Sequence, residues 1–222
     1  MILMLNCSYK KSSNTEYFLS LLMHEIQNTS LKNNNQQVTD RECKIICIKD
    51  ILMNMEKGSL EKFFSELKQA KAFVIGTPLY VDGLPAQIVK LMEVLLEKYK
   101  GKIPKLPVYV VSNLGFYEAE QIRHLLAMVE NWCKRMGFAY GGGLAVGAGP
   151  MVRAVEGMPV KNVLLKDVIR GIEKLAYAIT CHKKLKNYCT KTRIPREIYL
   201  KAAHMNFDKT AKENGLKVSE VR

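Results

Sequence analysis

The sequence predicts an α/β fold in which one parallel sheet is covered by helices on both faces. Five short apolar segments, each suited to a strand buried on both sides, alternate with segments whose apolar residues recur at helical spacing. This alternation is typical of parallel sheets, because the crossover between two parallel strands needs a long connection, usually a helix. At 222 residues, with 48% apolar and 25% charged residues, the chain can form one such domain with a substantial core.

The strand predictions rest on apolar runs too short for helices. The predicted strands cover residues 1–5, 44–48, 72–75, 107–112 and 138–146. Gly76 is expected to end the third strand, and Pro107 to lead the fourth. A polar stretch at residues 33–37 predicts a loop before the second strand.

The helix predictions rest on apolar stripes with a spacing of three and four residues. The stripes cover residues 18–26, 60–67, 88–99, 122–136 and 163–179. Pro85 suits the first turn of the third helix, because proline lacks the N–H that a helix start leaves unpaired. Gly137 can close the fourth helix in a left-handed conformation. The stripe at 163–179 is expected to be the last long helix.

Five parallel strands connected in this way favour the sheet order 2-1-3-4-5. In such sheets a ligand binds at the carboxyl ends of strands 1 and 3, where the chain reverses direction across the sheet. Three polar, turn-rich loops follow strands 1, 3 and 4, and we expect them to meet at this edge. These loops are residues 7–14, 77–84 and 112–118.

The first of these loops carries an unusual density of hydroxyl groups and cations. Four hydroxyls, on Ser8, Ser12, Ser13 and Thr15, stand beside two lysines at the start of a helix, where backbone N–H groups favour anions. This set suits a phosphate. The loop lacks the glycines of a P-loop or of a dinucleotide-binding fingerprint. A simpler interpretation is that Ser13 or Asn14 caps the helix.

Two segments carry a resemblance to known families. SYKKSSNT, residues 8–15, resembles the phosphate loop of the NADPH-dependent FMN reductases and the flavodoxin-like quinone reductases. TPLYVDGLPAQIVKLME, residues 77–93, resembles their second FMN segment, and the resemblance covers about residues 1–180. Tyr9 and Lys10 depart from the usual proline and arginine. Lysine is a point charge, whereas arginine grips phosphate with a two-pronged fork.

The resemblance implies a flavodoxin-like three-layer sandwich that binds FMN. It implies a domain over residues 1–180, followed by a basic, partly helical extension over residues 181–222. The first loop would hold the phosphate, and the other two would flank the flavin ring, with Gly115 permitting close approach of the backbone. The residues expected to contact FMN are Ser8, Lys10, Ser13, Asn14, Thr15, Pro78, Leu79, Tyr80, Val81, Asn113, Gly115, Phe116 and Tyr117.

The activity that the resemblance implies is an FMN-dependent oxidoreductase. Reducing equivalents would pass from NADPH or NADH to a quinone, a nitro or azo compound, or free flavin. The cofactor supplies this chemistry, so no catalytic side chain is expected. The families also imply a homodimer. Two alternatives stay open, a flavin-binding electron carrier without NAD(P)H turnover and a non-catalytic interaction module.

The net charge and the cysteine content indicate which partners and which compartment to expect. The net charge is +13, and residues 182–222 alone hold 11 basic against 4 acidic residues. This tail lacks interleaved aromatic residues and any nucleic-acid motif, so we expect a solvated surface and no nucleic-acid partner. No apolar run reaches the roughly 20 residues of a membrane span. The six cysteines show no metal-ligand pattern and predict cytoplasmic thiols.

Overall fold

The protein forms one parallel sheet of six strands. The computed structural model describes residues 1–32, 42–103, 105–159 and 161–220. The strands are β1 (Ile2–Asn6), β2 (Cys43–Cys47), β3 (Ala72–Pro78), β4 (Pro107–Asn113), β5 (Ala139–Val146) and β6 (Tyr188–Thr190). Their order is β2-β1-β3-β4-β5-β6, and every neighbouring pair is parallel. The predicted order of the first five strands is therefore confirmed, and the prediction of a five-stranded sheet is corrected to six.

Helices cover both faces of this sheet, as predicted. The described part of the chain contains α1 (Asn14–Lys32), α2 (Ile48–Met53), α3 (Ser59–Gln69), α4 (Ala86–Tyr99), α5 (Arg123–Met136), α6 (Gly149–Ala154), α7 (Lys161–Leu164), α8 (Lys166–Thr180) and α9 (Arg196–Glu213). One buried apolar cluster joins the sheet to α2–α5, and a second joins it to α1, α6 and α8. The central strands β1 and β3 are buried along their whole length.

Several element boundaries differ from the sequence prediction. β3 runs through Gly76 to Pro78, because Thr77 and Pro78 still pair with Ser112 and Asn113 of β4. Gly76 lets α1 pack closely on the strand, since a Cβ there would lie 2.7 Å from the side chain of Leu19. The predicted helix at 163–179 is divided at Leu165 into α7 and α8. The short helices α2 and α6 were not predicted, since six residues are too few to show a helical stripe. The loop predicted at 33–37 lies outside the described residues.

The C-terminal segment joins the same sheet. β6 pairs with the last three residues of β5, and Tyr188, Cys189 and Thr190 align with Leu144, Ala145 and Val146. The following helix α9 is longer than α8, although α8 was expected to be the last long helix. The division into a domain at 1–180 and an extension at 181–222 stays a prediction. No helix among the described residues combines the length and the apolarity that crossing a membrane requires.

Candidate functional site

The loops after β1, β3 and β4 meet at the carboxyl edge of the sheet. Together with two residues of α6 they line a cleft of about 270 Å³. Of the predicted contact residues, the cleft brings together Ser8, Lys10, Ser13, Asn14, Thr15, Pro78, Leu79, Tyr80, Asn113 and Gly115. The parallel register explains this convergence, since β3 ends beside β1 on one side and beside β4 on the other.

Three hydroxyl oxygens of the first loop accept hydrogen bonds from within the protein. Ser8 Oγ accepts a hydrogen bond from the Lys10 N–H at 3.3 Å, and Ser13 Oγ accepts one from the Glu16 N–H at 3.1 Å. Thr15 Oγ1 accepts from Asn113 Nδ2 at 3.0 Å. A hydroxyl has one donor hydrogen besides its acceptor lone pairs. These three bonds use the oxygens as acceptors, so none of them uses the O–H hydrogen.

The N-terminus of α1 points its positive end at the same place. The Ser13 hydroxyl caps the helix, so the capping interpretation is correct for this residue, and Asn14 begins the helix beside the cleft. Capping uses only the Ser13 oxygen as acceptor and is therefore compatible with donation to an anion. The Ser8 and Thr15 hydroxyls bond other partners, so the cap does not account for them.

The second loop ends in a tight hairpin turn. Leu79 N–H donates to the Asn113 carbonyl at 2.9 Å, and Tyr80 exchanges two backbone hydrogen bonds with Gly83. Val81 and Asp82, between them, have φ angles of 46° and 58°, as in a mirror-image turn. Positive φ is costly for the β-branched Val81, whose side chain is fully exposed and does not line the cleft. Any contact of Val81 with a bound ligand would therefore come from its backbone.

The third loop places its aromatic residues away from the cleft. Phe116 is exposed. Tyr117 turns to the opposite side, where its hydroxyl donates to the Ile194 carbonyl at 2.9 Å and its ring packs against Tyr199, with centroids 5.6 Å apart. Neither aromatic side chain lines the cleft, whereas Asn113, Leu114 and Gly115 do. The likeness of the sequence to a flavin loop could not reveal this, because Tyr117 is drawn away by the C-terminal segment.

The C-terminal segment also fixes the backbone of this loop. The Tyr199 hydroxyl, from α9, donates to the Gly115 carbonyl. Arg196 pairs with Glu118 at 3.0 Å, and this hydrogen bond lowers the pKa of the Glu118 carboxyl. Burial, and then the nearby Glu118, raise the pKa of Tyr199, so its hydroxyl stays protonated and remains a donor. The tail is therefore attached to a loop that lines the cleft.

Four residues of the cleft were not predicted as contacts, namely Ser12, Leu114, Pro150 and Arg153. Ser12 had been counted among the loop hydroxyls, and Leu114 lies between two predicted contacts. Pro150 and Arg153 belong to α6, which gave no sequence signal. Arg153 Nη1 donates to the Ser12 carbonyl at 2.6 Å, across 141 residues of sequence.

Cys7, directly before the first loop residue that lines the cleft, is poorly suited to act as a nucleophile. Cys7 is buried, and burial raises its pKa well above the ordinary value for a thiol. A protonated, inaccessible thiol is a poor nucleophile. Among the described residues, His, Cys, Asp and Glu side chains do not gather in groups of three that could hold a metal ion.

Gly115 offers a direct test of how closely a ligand approaches the third loop. A Cβ at this position would meet nothing within 4 Å, so Gly115→Ala is expected to leave the melting temperature unchanged. If the backbone lies against a flavin ring, the same methyl group should weaken flavin binding at least several-fold, measured by fluorescence quenching. Gly157→Ala, equally unobstructed but away from the cleft, is the control. Unchanged flavin affinity in Gly115→Ala would show that the ring does not contact this backbone.

Comparison with protein families gives one match. The family model of the NADPH-dependent FMN reductases matches residues 1–141, which include the strands β1 to β4 and all three loops of the cleft. A search of curated protein sequences gave no match.

Solved structures show similarity at the level of the fold. An oxidoreductase from Corynebacterium diphtheriae superposes with a TM-score of 0.59 at 12% identity, covering 81% of this chain and 94% of that one. An azoreductase from Bacillus anthracis gives 0.52 at 11% identity, with coverage of 81% and 98%. The two-electron reduced flavodoxin of Megasphaera elsdenii gives 0.50 at 12% identity, with coverage of 82% and 99%. The flavodoxin-like fold class is thereby confirmed.

Proposed function

The chain belongs to the NADPH-dependent FMN reductase family, and from this premise we propose that its cleft binds FMN and delivers reducing equivalents to a small organic acceptor. The family makes the protein an oxidoreductase that uses FMN, with NAD(P)H as electron donor. The observation that supports the cleft as the FMN site is the convergence of ten predicted residues from three separate loops.

The first loop has the donors that a phosphate group requires. The hydroxyls of Ser8, Ser13 and Thr15 accept protein hydrogen bonds with their oxygens, and these bonds do not use the O–H hydrogens. The positive end of α1 and the ammonium of Lys10 add charge of the right sign. Hydrogen bonds to a charged group are stronger than those to a neutral one. The loop is therefore suited to the phosphate end of FMN.

The second and third loops are suited to the flavin ring. The Leu79 and Tyr80 N–H groups are used within the protein, so the turn backbone at Val81 and Asp82 is the part that would donate to the ring. Leu79 and Leu114 add apolar surface that excludes water. FMN, when bound, supplies the hydride- and electron-transfer chemistry, and the residues around it bind and orient it.

The acceptor belongs to the class of quinones, nitro or azo compounds, or free flavin. Azo compounds are included because an azoreductase shares this fold. A homodimer is part of the proposal, supported by apolar side chains exposed near the cleft: Tyr80, Val81, Phe116 and Met128. A cytoplasmic location is also proposed, since all six cysteines are free thiols.

An anaerobic titration tests the proposed activity. The purified protein is loaded with FMN and titrated with NADPH and, separately, with NADH, while the flavin absorbance near 450 nm is followed. We expect stoichiometric bleaching by at least one nicotinamide and recovery of the colour when a quinone is added. A protein that binds FMN but is bleached by neither nicotinamide would be an electron carrier. A protein that binds no FMN would be a non-catalytic module, and either result would overturn the proposal.

A further inference from the structure

We propose that Arg153 is a phosphate-binding residue that provides the guanidinium which the first loop lacks. The inference rests on the proposed function, because it assigns Arg153 to the phosphate end of the FMN site. The first loop, residues 7–14, carries two lysines and no arginine. Arg153 reaches the same loop from α6, on the far side of β5 in the sequence.

The proposal is based on the position of the Arg153 side chain. Arg153 lines the cleft with Ser8, Ser12 and Ser13, and its Nη1 donates to the Ser12 carbonyl at 2.6 Å. A guanidinium has five N–H donors in a planar fork, and the bond to Ser12 uses one of them. The remaining donors lie in the same plane, in the cleft that Ser8 and Ser13 also line. The bond to Ser12 therefore fixes the fork at the rim of the phosphate loop.

Tyr17 and Glu156 lie in the surroundings of Arg153. Glu156 follows Arg153 by three residues and lies close to the Tyr17 hydroxyl. Burial, followed by the charge of Glu156, raises the pKa of Tyr17 to about 12, so this hydroxyl keeps its proton. The nearby Arg153 acts against this shift, and its guanidinium donates toward the loop, to the Ser12 carbonyl at 2.6 Å.

Arg153 and Lys10 would act differently on a phosphate. Both side chains are exposed, and Lys10 contributes a point charge that water and salt screen. Arg153 is joined to the loop by its bond to Ser12 and can engage two phosphate oxygens at once. Arg153 therefore supplies the two-pronged contact that Lys10 cannot make. It does so from α6, although it lies far from the loop in the sequence.

The test compares the affinities of two flavins in the apoprotein. Arg153→Ala is expected to weaken FMN binding about 10- to 100-fold, the range expected for losing a bond to a charged group. Riboflavin, which has no phosphate, should bind within about twofold of the wild type. Arg153→Lys should recover only part of the loss, because lysine has no fork. Affinities are measured by quenching of flavin fluorescence at two salt concentrations.

Two further variants separate the possible outcomes. Arg135→Ala removes an exposed arginine near the end of α5, at the opposite edge of the sheet, and should change neither affinity. Lys10→Ala should cost less FMN affinity than Arg153→Ala and lose its effect at high salt. Equal losses for FMN and riboflavin, or no loss in Arg153→Ala, would overturn the assignment of Arg153 while FMN binding by the wild type stands. If the wild type binds no FMN, the proposed function itself fails.

Discussion

Simultaneous replacement of Ser8, Ser13 and Thr15 with alanine is expected to weaken FMN binding by at least two orders of magnitude. Each hydroxyl is placed to donate to the phosphate, and hydrogen bonds to a charged group contribute about 1.5–3 kcal/mol each. A loss of about 1.4 kcal/mol corresponds to a tenfold change in affinity. Riboflavin has no phosphate, so its affinity should change much less. Titration of the apoprotein with both flavins measures the difference.

Structural damage to the loop can be separated from loss of phosphate contacts. Alanine at Ser13 removes the cap of α1, which costs about 1 kcal/mol of stability, so melting temperatures accompany every affinity. Ser8→Ala alone is the milder variant, because Ser8 Oγ accepts only a long bond of 3.3 Å. Ser20→Ala, on the exposed side of the same helix, is the matched control. If FMN and riboflavin lose affinity equally in the triple variant, the loop does not bind the phosphate.

Truncation after Lys186 is expected to lower the melting temperature by on the order of 10 °C while FMN binding persists at low temperature. The truncation removes β6 together with the buried side chains of Ile194 and Tyr199. Burial of one such side chain contributes about 1.5–3 kcal/mol, and each kcal/mol shifts the melting temperature of a domain of this size by roughly 2–4 °C. The truncation does not remove any residue of the first loop. Differential scanning calorimetry should therefore show a lower melting temperature, while flavin titration should show that FMN still binds.

Point variants in the full-length chain keep this prediction testable if the truncated protein fails to fold. Tyr199→Ala removes the contact with Tyr117 and the hydrogen bond to the Gly115 carbonyl, and should lower the melting temperature by several degrees. The double variant Met205→Ala/Phe207→Ala, on the exposed part of α9, should leave the melting temperature unchanged. A truncated protein that retains its full stability but shows a sharply raised KM for NADPH would place the tail in the substrate site instead.

The sequence by itself determined the order of the first five strands and the three loops that form the cleft. Fully buried strands must be apolar throughout, and the helices between them must have one apolar face, so these elements leave a periodic signal. Once the strand order is known, the loops at the carboxyl edge follow from the direction of the chain. This is why ten predicted residues from separate segments line one cleft.

Tertiary structure alone decided which side chains of these loops face the cleft and which distant residues join them. Tyr117 turns away because Ile194 and Tyr199 bind it from the C-terminal segment, and Arg153 enters from a helix of six residues. The strand β6 is shorter still, with three residues. Such elements span less than two helical turns or a few strand residues, so they leave no measurable periodicity. Their positions depend on contacts between residues up to 141 apart in the sequence, which local patterns do not encode.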